Sequence, residues 1–209
     1  MDNVKSPISV NLIMNNPEKE KYSFLKFSDY LFENYTLLPL RYEDISKIKK
    51  WRNDQISILR QNKVLTDTDQ ENYYQELMEK SFFNPKPNEI LFSFLLDDTC
   101  IGYGGMVHVD WDKKTAEISF ITETKRANLN EIYQNDFTAF TTILFRISFS
   151  ELLFNKLTAE TYGIRTNTLR ILDQLGFQLK KIDEKKILIN NEMCDSFHHE
   201  YLKKFYTMA

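Results

Sequence analysis

Hydrophobic positions change period several times along the chain, and those changes divide it into elements. Tyr35–Arg41 (YTLLPLR) is β-prone and carries Pro39, which suits an edge strand. From Glu43 to Asn53 the apolar positions Ile45, Ile48 and Trp51 recur at spacing three, which predicts a helix. A second helix is predicted from Asp67 or Thr68 to about Phe82. It starts in the N-cap-rich TDTDQE segment and stops before Pro85 and Pro87. The period then falls to that of strands. Ile90–Leu96, Cys100–Val109 and Thr115–Glu123 are separated by short turns and read as an antiparallel meander. Apolar residues nearly encircle the stretch from about Asn135 to Phe154, which predicts a largely buried helix. Leu157–Tyr162 is a strand, a helix starts at Thr166 or Asn167, and Gly176 stands where a helix C-terminus favours glycine. Two strands follow, about 177–190 with a turn near Asp183–Lys185, and about 194–203. The order β-α-α-β-β-β-α-β-α-β-β predicts a mixed α/β domain. It has one mostly antiparallel sheet of about seven strands with helices on both faces, over residues 36–209. Residues 1–35 read as an N-terminal extension whose KYSFLKFSDYLFENY stretch suits a short helix or a strand.

Composition narrows the function classes. A hydrophobic content of 42% is ample for a core, and a net charge of −3 argues against a general polyanion binder. No apolar run approaches the length of a membrane span, and the first twenty residues make a poor secretory signal. Cys100 and Cys194 are far apart, outside any metal-ligand spacing, and read as buried reduced thiols of a cytoplasmic protein. With only three histidines no zinc or Cys/His nucleophile pattern exists, so no metal is expected.

The wording of LTAETYGIRTNTLRILDQLGF, residues 157–177, is more specific. Ala159-Glu160 opens it, Thr168 stands at a serine position, Arg170 and Leu172 fit, and Leu175-Gly176-Phe177 closes it. With TAEISF, IGYGGMV and Trp51-Arg52-Asn53 upstream, residues 36–203 resemble the GNAT superfamily of acetyl-CoA-dependent N-acetyltransferases. The nearer likeness is to ribosomal-protein and nucleotide-linked amino-sugar N-acetyltransferases. The resemblance implies acetyl-CoA as co-substrate and a small-molecule amine as acceptor, with an amino sugar carried on a nucleotide as the favoured one and polysaccharide biosynthesis as its setting. No nucleic acid or membrane partner is expected from the charge and the short apolar runs, and a homodimer is allowed. The alternatives are an N-terminal protein acetyltransferase and a GNAT-fold scaffold that has lost catalysis.

Site residues follow from the same resemblance. Two strands of the family part, and the donor's pantetheine arm bonds to backbone in the gap, here at Phe120, Ile121 and Thr122. The family's glycine-rich pyrophosphate loop maps to Ile132–Phe137, where no glycine stands. Asn135 is left to replace one by a left-handed conformation, and Asp136 would set negative charge beside a pyrophosphate. Lys125, Arg126 and Asn128 either supply phosphate contacts or form a solvated loop. Arg165 either reaches a phosphate or the acceptor, or caps a turn. Glu117, on the face of Ser119, is the general-base candidate, against a merely paired charge. The family's tyrosine general acid is replaced by Leu172, leaving Tyr162 or Thr168 as weak substitutes. Trp51, Arg52 and Arg60 are the acceptor-side candidates, although Trp51 shares the core stripe and Arg52 is otherwise a surface or ion-paired arginine. His108, at a strand end, reads as a structural histidine.

Overall fold

A computed structural model describes residues 21–59, 61–189 and 191–207. Eight strands form one sheet in the order β1-β2-β3-β4-β5-β6-β8-β7. They are β1 (Tyr30–Phe32), β2 (Tyr35–Pro39), β3 (Ile90–Leu96), β4 (Thr99–Asp110), β5 (Thr115–Thr122), β6 (Lys156–Tyr162), β7 (Gln178–Ile189) and β8 (Glu192–Leu202). Every neighbouring pair is antiparallel except β5 and β6. The predicted seven strands are all present, and the extra one, β1, comes from the N-terminal extension. It is short, pairing only Tyr30–Phe32 with Tyr35–Leu37, so Pro39 lies beyond its end and breaks no ladder bond on that side.

Helices cover both faces. On one lie α1 (Ile45–Asp54) and α2 (Asp67–Leu77), with Ile45, Ile48, Trp51, Tyr74 and Leu77 packed on Leu91, Tyr103 and Ile121. On the other lie α4 (Asn130–Phe145) and α5 (Thr166–Gln174), which bury Phe137, Phe140, Ile143, Leu144, Ile171 and Leu172 against Phe92, Phe94, Ile118 and Phe120. A four-residue helix, α3 (Thr124–Ala127), links β5 to α4. α4 is buried on nearly all sides, as its apolar pattern requires, and widens into a π turn over Arg146–Glu151. It begins five residues earlier than the periodicity suggested, because Asn130–Gln134 are polar on the solvent side while Tyr133 already packs inward. Gly176 takes φ +86° and ends the turn after α5, as its position predicted. The turn expected near Asp183–Lys185 is instead a register shift within one long strand, where the Lys185 N–H donates to the Asp195 carboxylate at 2.9 Å.

The residues before β1 also belong to the core. The Tyr22 hydroxyl is fully buried; it donates to the Leu91 carbonyl and accepts from the Leu91 N–H, both at 2.8 Å. The Tyr30 hydroxyl donates to Glu151 at 2.8 Å, fixing this segment to the end of α4.

One charge pair lies deep in the structure. Asp136 on α4 is wholly buried and receives two parallel bonds from Arg126, 2.7 Å from Nε and 2.8 Å from Nη2. The Tyr35 hydroxyl adds a third donor at 3.2 Å. The hydrogen bonds to Asp136 hold the Arg126 guanidinium more firmly protonated than usual. Removing the cation alone leaves a carboxylate buried without its counter-charge. Arg126→Ala is therefore expected to lower unfolding free energy by about 3 kcal/mol in urea titrations. A change below about 1 kcal/mol would show the pair to be dispensable.

His199 gives a pH dependence. Its ring is buried, Nδ1 has no partner among the described residues, and burial lowers its pKa from the ordinary 6.5. The unfolded chain then binds more protons than the folded one below that value, so stability rises with pH there. The contribution is present above pH 6.5 and is lost as pH falls toward the lowered folded value. Urea midpoints taken from pH 7 down to 5 should fall for the parent and fall less for His199→Phe.

Candidate active site

Strands β5 and β6 pair over three residues only, Thr115–Glu117 against Lys156–Thr158. Beyond them each keeps its other neighbour: β5 stays on β4 as far as Thr122, and β6 stays on β8 as far as Tyr162. The two strands therefore part, and the sheet opens between Ile118–Ile121 and Glu160–Tyr162. Phe120 holds the far side of the opening, stacked on Phe137 at 5.2 Å between ring centres and packed on Phe140 at 4.5 Å.

β4 is held close against β5 along this stretch. A Cβ on Gly104 would lie 2.1 Å from the Ser119 carbonyl oxygen, so only glycine fits. Further along, β4 carries a bulge: Val107 faces Glu117 and Asp110 faces Thr115, leaving His108 and Val109 opposite Ala116 alone. His108 takes φ +51° there.

A cleft of about 350 Å³ leads into the opening from the α1/α2 face. Its wall brings together Arg52 from α1, Tyr73 from α2, Glu89 just before β3, Tyr103 and His108 from β4, and Glu117 from β5. Beyond the opening, Glu160, Tyr162 and Arg165 complete it. Glu117 lies where the strands part, its side chain 16% exposed, with Oε2 3.1 Å from His108 Nδ1. Arg52 donates to the Tyr103 hydroxyl at 2.9 Å and to Gln61 at 3.0 Å. Tyr73 donates to Glu89. Burial raises the Tyr103 and Tyr73 hydroxyls above the ordinary phenol value, so both stay protonated. The Ser196 hydroxyl donates to Glu160.

On the α4/α5 side a second, smaller hollow is lined by Ile118, Phe120, Tyr133, Glu160, Arg165 and Thr168, among others. Arg165, directly before α5, donates to the Tyr133 hydroxyl at 3.0 Å, and Thr168 Oγ1 lies 3.1 Å from the same oxygen. Thr168 is buried at the edge of this hollow.

Of the residues expected from the sequence, Glu117, Tyr162, Phe120, Ile121, Arg165 and Arg52 line the opening or its cleft. The others do not meet there. Thr122 is buried, its hydroxyl donating to the Ile101 carbonyl and its own carbonyl accepting from Gln55. Arg126 is committed to Asp136. Asn135 lies on the exposed surface of α4 in its second turn and supplies no left-handed residue, because the helix had already begun. Asp136 is for the same reason core rather than loop. Trp51 is 6% exposed and packs with Ile45 and Ile48, the core role its stripe allowed. Lys125 stands exposed on α3. Arg60 lies outside the described residues.

Tyr73, Glu89, Tyr103, Tyr133 and Glu160 were not foreseen. Only Glu160 carried a signal, since it alternates with Thr158 and Tyr162 on one face of β6. Cys100 and Cys194 are both free and buried, and burial pushes the Cys100 thiol up to about 12, which leaves it unreactive near neutrality. Among the described residues no cluster of metal-ligating side chains occurs, and no helix is long and apolar enough to cross a membrane.

Comparison with solved structures places this geometry among acetyltransferases. A spermidine N-acetyltransferase chimera of Vibrio cholerae and human sequence superposes with a TM-score of 0.70 at 15% identity, covering 83% of this chain and 98% of that one. The Vibrio cholerae spermidine N-acetyltransferase in complex with CoA and spermine gives 0.68 at 15% identity, covering 83% and 98%. An acetyltransferase of the GNAT family from Bacillus anthracis gives 0.66 at 16% identity, covering 84% and 99%. At these identities the likeness is one of fold. No curated protein matches the chain. Residues 37–198 match the acetyltransferase (GNAT) domain, a range that holds β4, β5 and β6 whole and β8 as far as residue 198, so the chain belongs to the GNAT family of acyltransferases, whose acyl donor is acetyl-CoA.

Proposed function

We propose that the chain transfers an acetyl group from acetyl-CoA to a primary amine of a small, positively charged acceptor, with Glu117 as general base. The observation that carries this reading is the position of Glu117 at the point where β5 and β6 part, in the wall of a cleft that also holds Glu89 and Glu160. Three carboxylates in one wall favour a cationic amine over an acceptor bearing a diphosphate. An amino sugar carried on a nucleotide, the acceptor the resemblance favours, fits this wall less well. Arg52, the side chain expected to grip its diphosphate, is already engaged with Tyr103 and Gln61. The neighbour solved with CoA and spermine supports a polycationic amine, through fold alone.

The residues present suit acetyl-CoA in the gap. Beyond Glu117 the β5 edge is released from β6, which is what backbone recognition of an extended arm needs. Arg165 and Tyr133 flank the far side and Lys125 is exposed on α3. The repulsion expected between Asp136 and a pyrophosphate does not arise, because that carboxylate is buried on Arg126. The bound thioester supplies an electrophilic carbonyl and a sulfur leaving group. Within the chain, Glu117 takes a proton from the incoming ammonium so that the free amine can attack. Glu89 and Glu160 hold the acceptor's positive charge. Tyr162, buried at the end of β6, is the hydroxyl we assign to protonate the departing sulfur.

The test begins with calorimetry. Acetyl-CoA should bind, and no binding at millimolar ligand would end the enzyme reading. Among spermidine, a diamine, a nucleotide-linked amino sugar and a peptide N-terminus, the cationic amines should be acetylated with the highest kcat/KM; preference for the sugar would overturn the acceptor class. Glu117→Gln should lower kcat by about tenfold or more. Glu89→Gln should raise KM for the amine by up to about fivefold with little change in kcat.

A further inference from the structure

The expectation for His108 was a structural role at a strand end, but its ring is spent on neither the core nor the ladder. It sits in the β4 bulge with φ +51°, a conformation that non-glycine residues avoid and that costs energy wherever it is held. The bulge leaves the ring in the cleft wall, Nδ1 3.1 Å from Glu117 Oε2. The two partners differ sharply in exposure: the Glu117 side chain is 16% exposed and the His108 side chain 67%. The pair thus spans from the partly buried point where the strands divide to open solvent.

We propose that His108 is a positioning residue that acts through Glu117, fixing the carboxylate for the acceptor and carrying its proton out to water. This rests on the proposed acetyl transfer at the same cleft. An ammonium acceptor must lose two protons as the C–N bond forms and the C–S bond breaks. One goes with the leaving sulfur to give the thiol. The other passes from the ammonium to a Glu117 oxygen, then to His108 Nδ1, making an imidazolium. His108 starts as the Nε2–H tautomer, so Nδ1 is free to accept. The exposed ring then gives the Nδ1 proton to water and returns to that tautomer, so each turnover releases one proton to solvent. Imidazole suits this step because either ring nitrogen can carry a proton.

Other groups of the cleft share its field and belong in any account of pH. Arg52 comes from α1, Tyr73 from α2, Glu89 directly precedes β3, and Tyr103 comes from β4 itself. Glu160 comes from β6, and Arg165 directly precedes α5. Arg52 and Tyr103 bond to each other, as do Tyr73 and Glu89, and Arg165 bonds to Tyr133. His108 is bonded to Glu117 and also reaches solvent.

His108→Gly tests the idea without endangering the fold, because glycine accepts positive φ freely. The variant should melt no lower than the parent. Its kcat with the preferred cationic amine should fall about tenfold, with KM for amine and acetyl-CoA within about twofold of the parent, and the shape of its pH–rate profile should change. Added imidazole should restore turnover in His108→Gly and not in Glu117→Gln. Parental kcat at every pH, or a loss that imidazole cannot mend, overturns the relay. A second measurement needs no turnover. The ring ¹⁵N resonances of His108, followed by NMR from pH 5 to 8, should trace a different curve in Glu117→Gln. Identical curves overturn the pairing even in a protein that acetylates nothing. A distinct curve together with turnover of no amine overturns the acetyl-transfer reading, and the relay with it, while leaving the pairing established.

Discussion

The structure turns on a hydrogen-bond ladder that stops early. Among the described residues β5 and β6 are the only parallel neighbours in the sheet, and they exchange bonds over three residues before diverging. Parallel strands need a crossover, and here it is α4, whose buried aromatic face must sit on the sheet it crosses. Phe120 projects from β5 into that face and packs on Phe137 and Phe140, while Thr168 and Leu172 of α5 crowd the β6 side. Each strand stays bonded to its outer neighbour, so the sheet remains intact on both sides of the opening. The released backbone edge and the side chains lining the gap become a place where a ligand can lie.

The chemistry follows from which residues happen to flank that break. Alternation along β5 sends Phe120 into the aromatic layer under α4 and Glu117 toward the α1/α2 face. Alternation along β6 sends Ala159 into the core and Glu160 to the cleft. The bulge in β4 reverses the local phase and turns His108 toward Glu117. Gly104, unable to carry a Cβ against the Ser119 carbonyl, lets β4 and β5 lie close enough for that alignment.

The pairing of Arg126 with Asp136 recasts the segment that departs most from the family's wording. As a string of letters, a glycine-free stretch containing an aspartate reads as a damaged phosphate loop. In space those residues lie past the helix start, and the aspartate is a core acceptor fed by Arg126 and Tyr35. The same bond that removes Asp136 from the ligand side also removes Arg126 from it.

Local chemistry made much of this legible in advance. Strand periods, the helix stripe of Ile45, Ile48 and Trp51, the glycine stop at Gly176 and the strand–turn–helix wording of residues 157–177 are each set by near neighbours along the chain. They carried the fold, the family and the shared face of Glu117 and Ser119. Other features depend on residues far apart in sequence. The early end of the β5–β6 ladder, the capture of Thr122 by Gln55 and Ile101, and the partnership of Tyr22 with Leu91 are examples. So is the meeting of Glu89, Glu117 and Glu160 around one cleft. A bulge also shifts the phase of everything after it, so no pattern along β4 could announce that His108 would face a carboxylate nine residues on. The sequence by itself determined the elements and the family, because those rest on short-range backbone and side-chain preferences. Only the tertiary structure decided which charges neutralise each other and which remain beside the opening, because burial and pairing are properties of contacts across the fold.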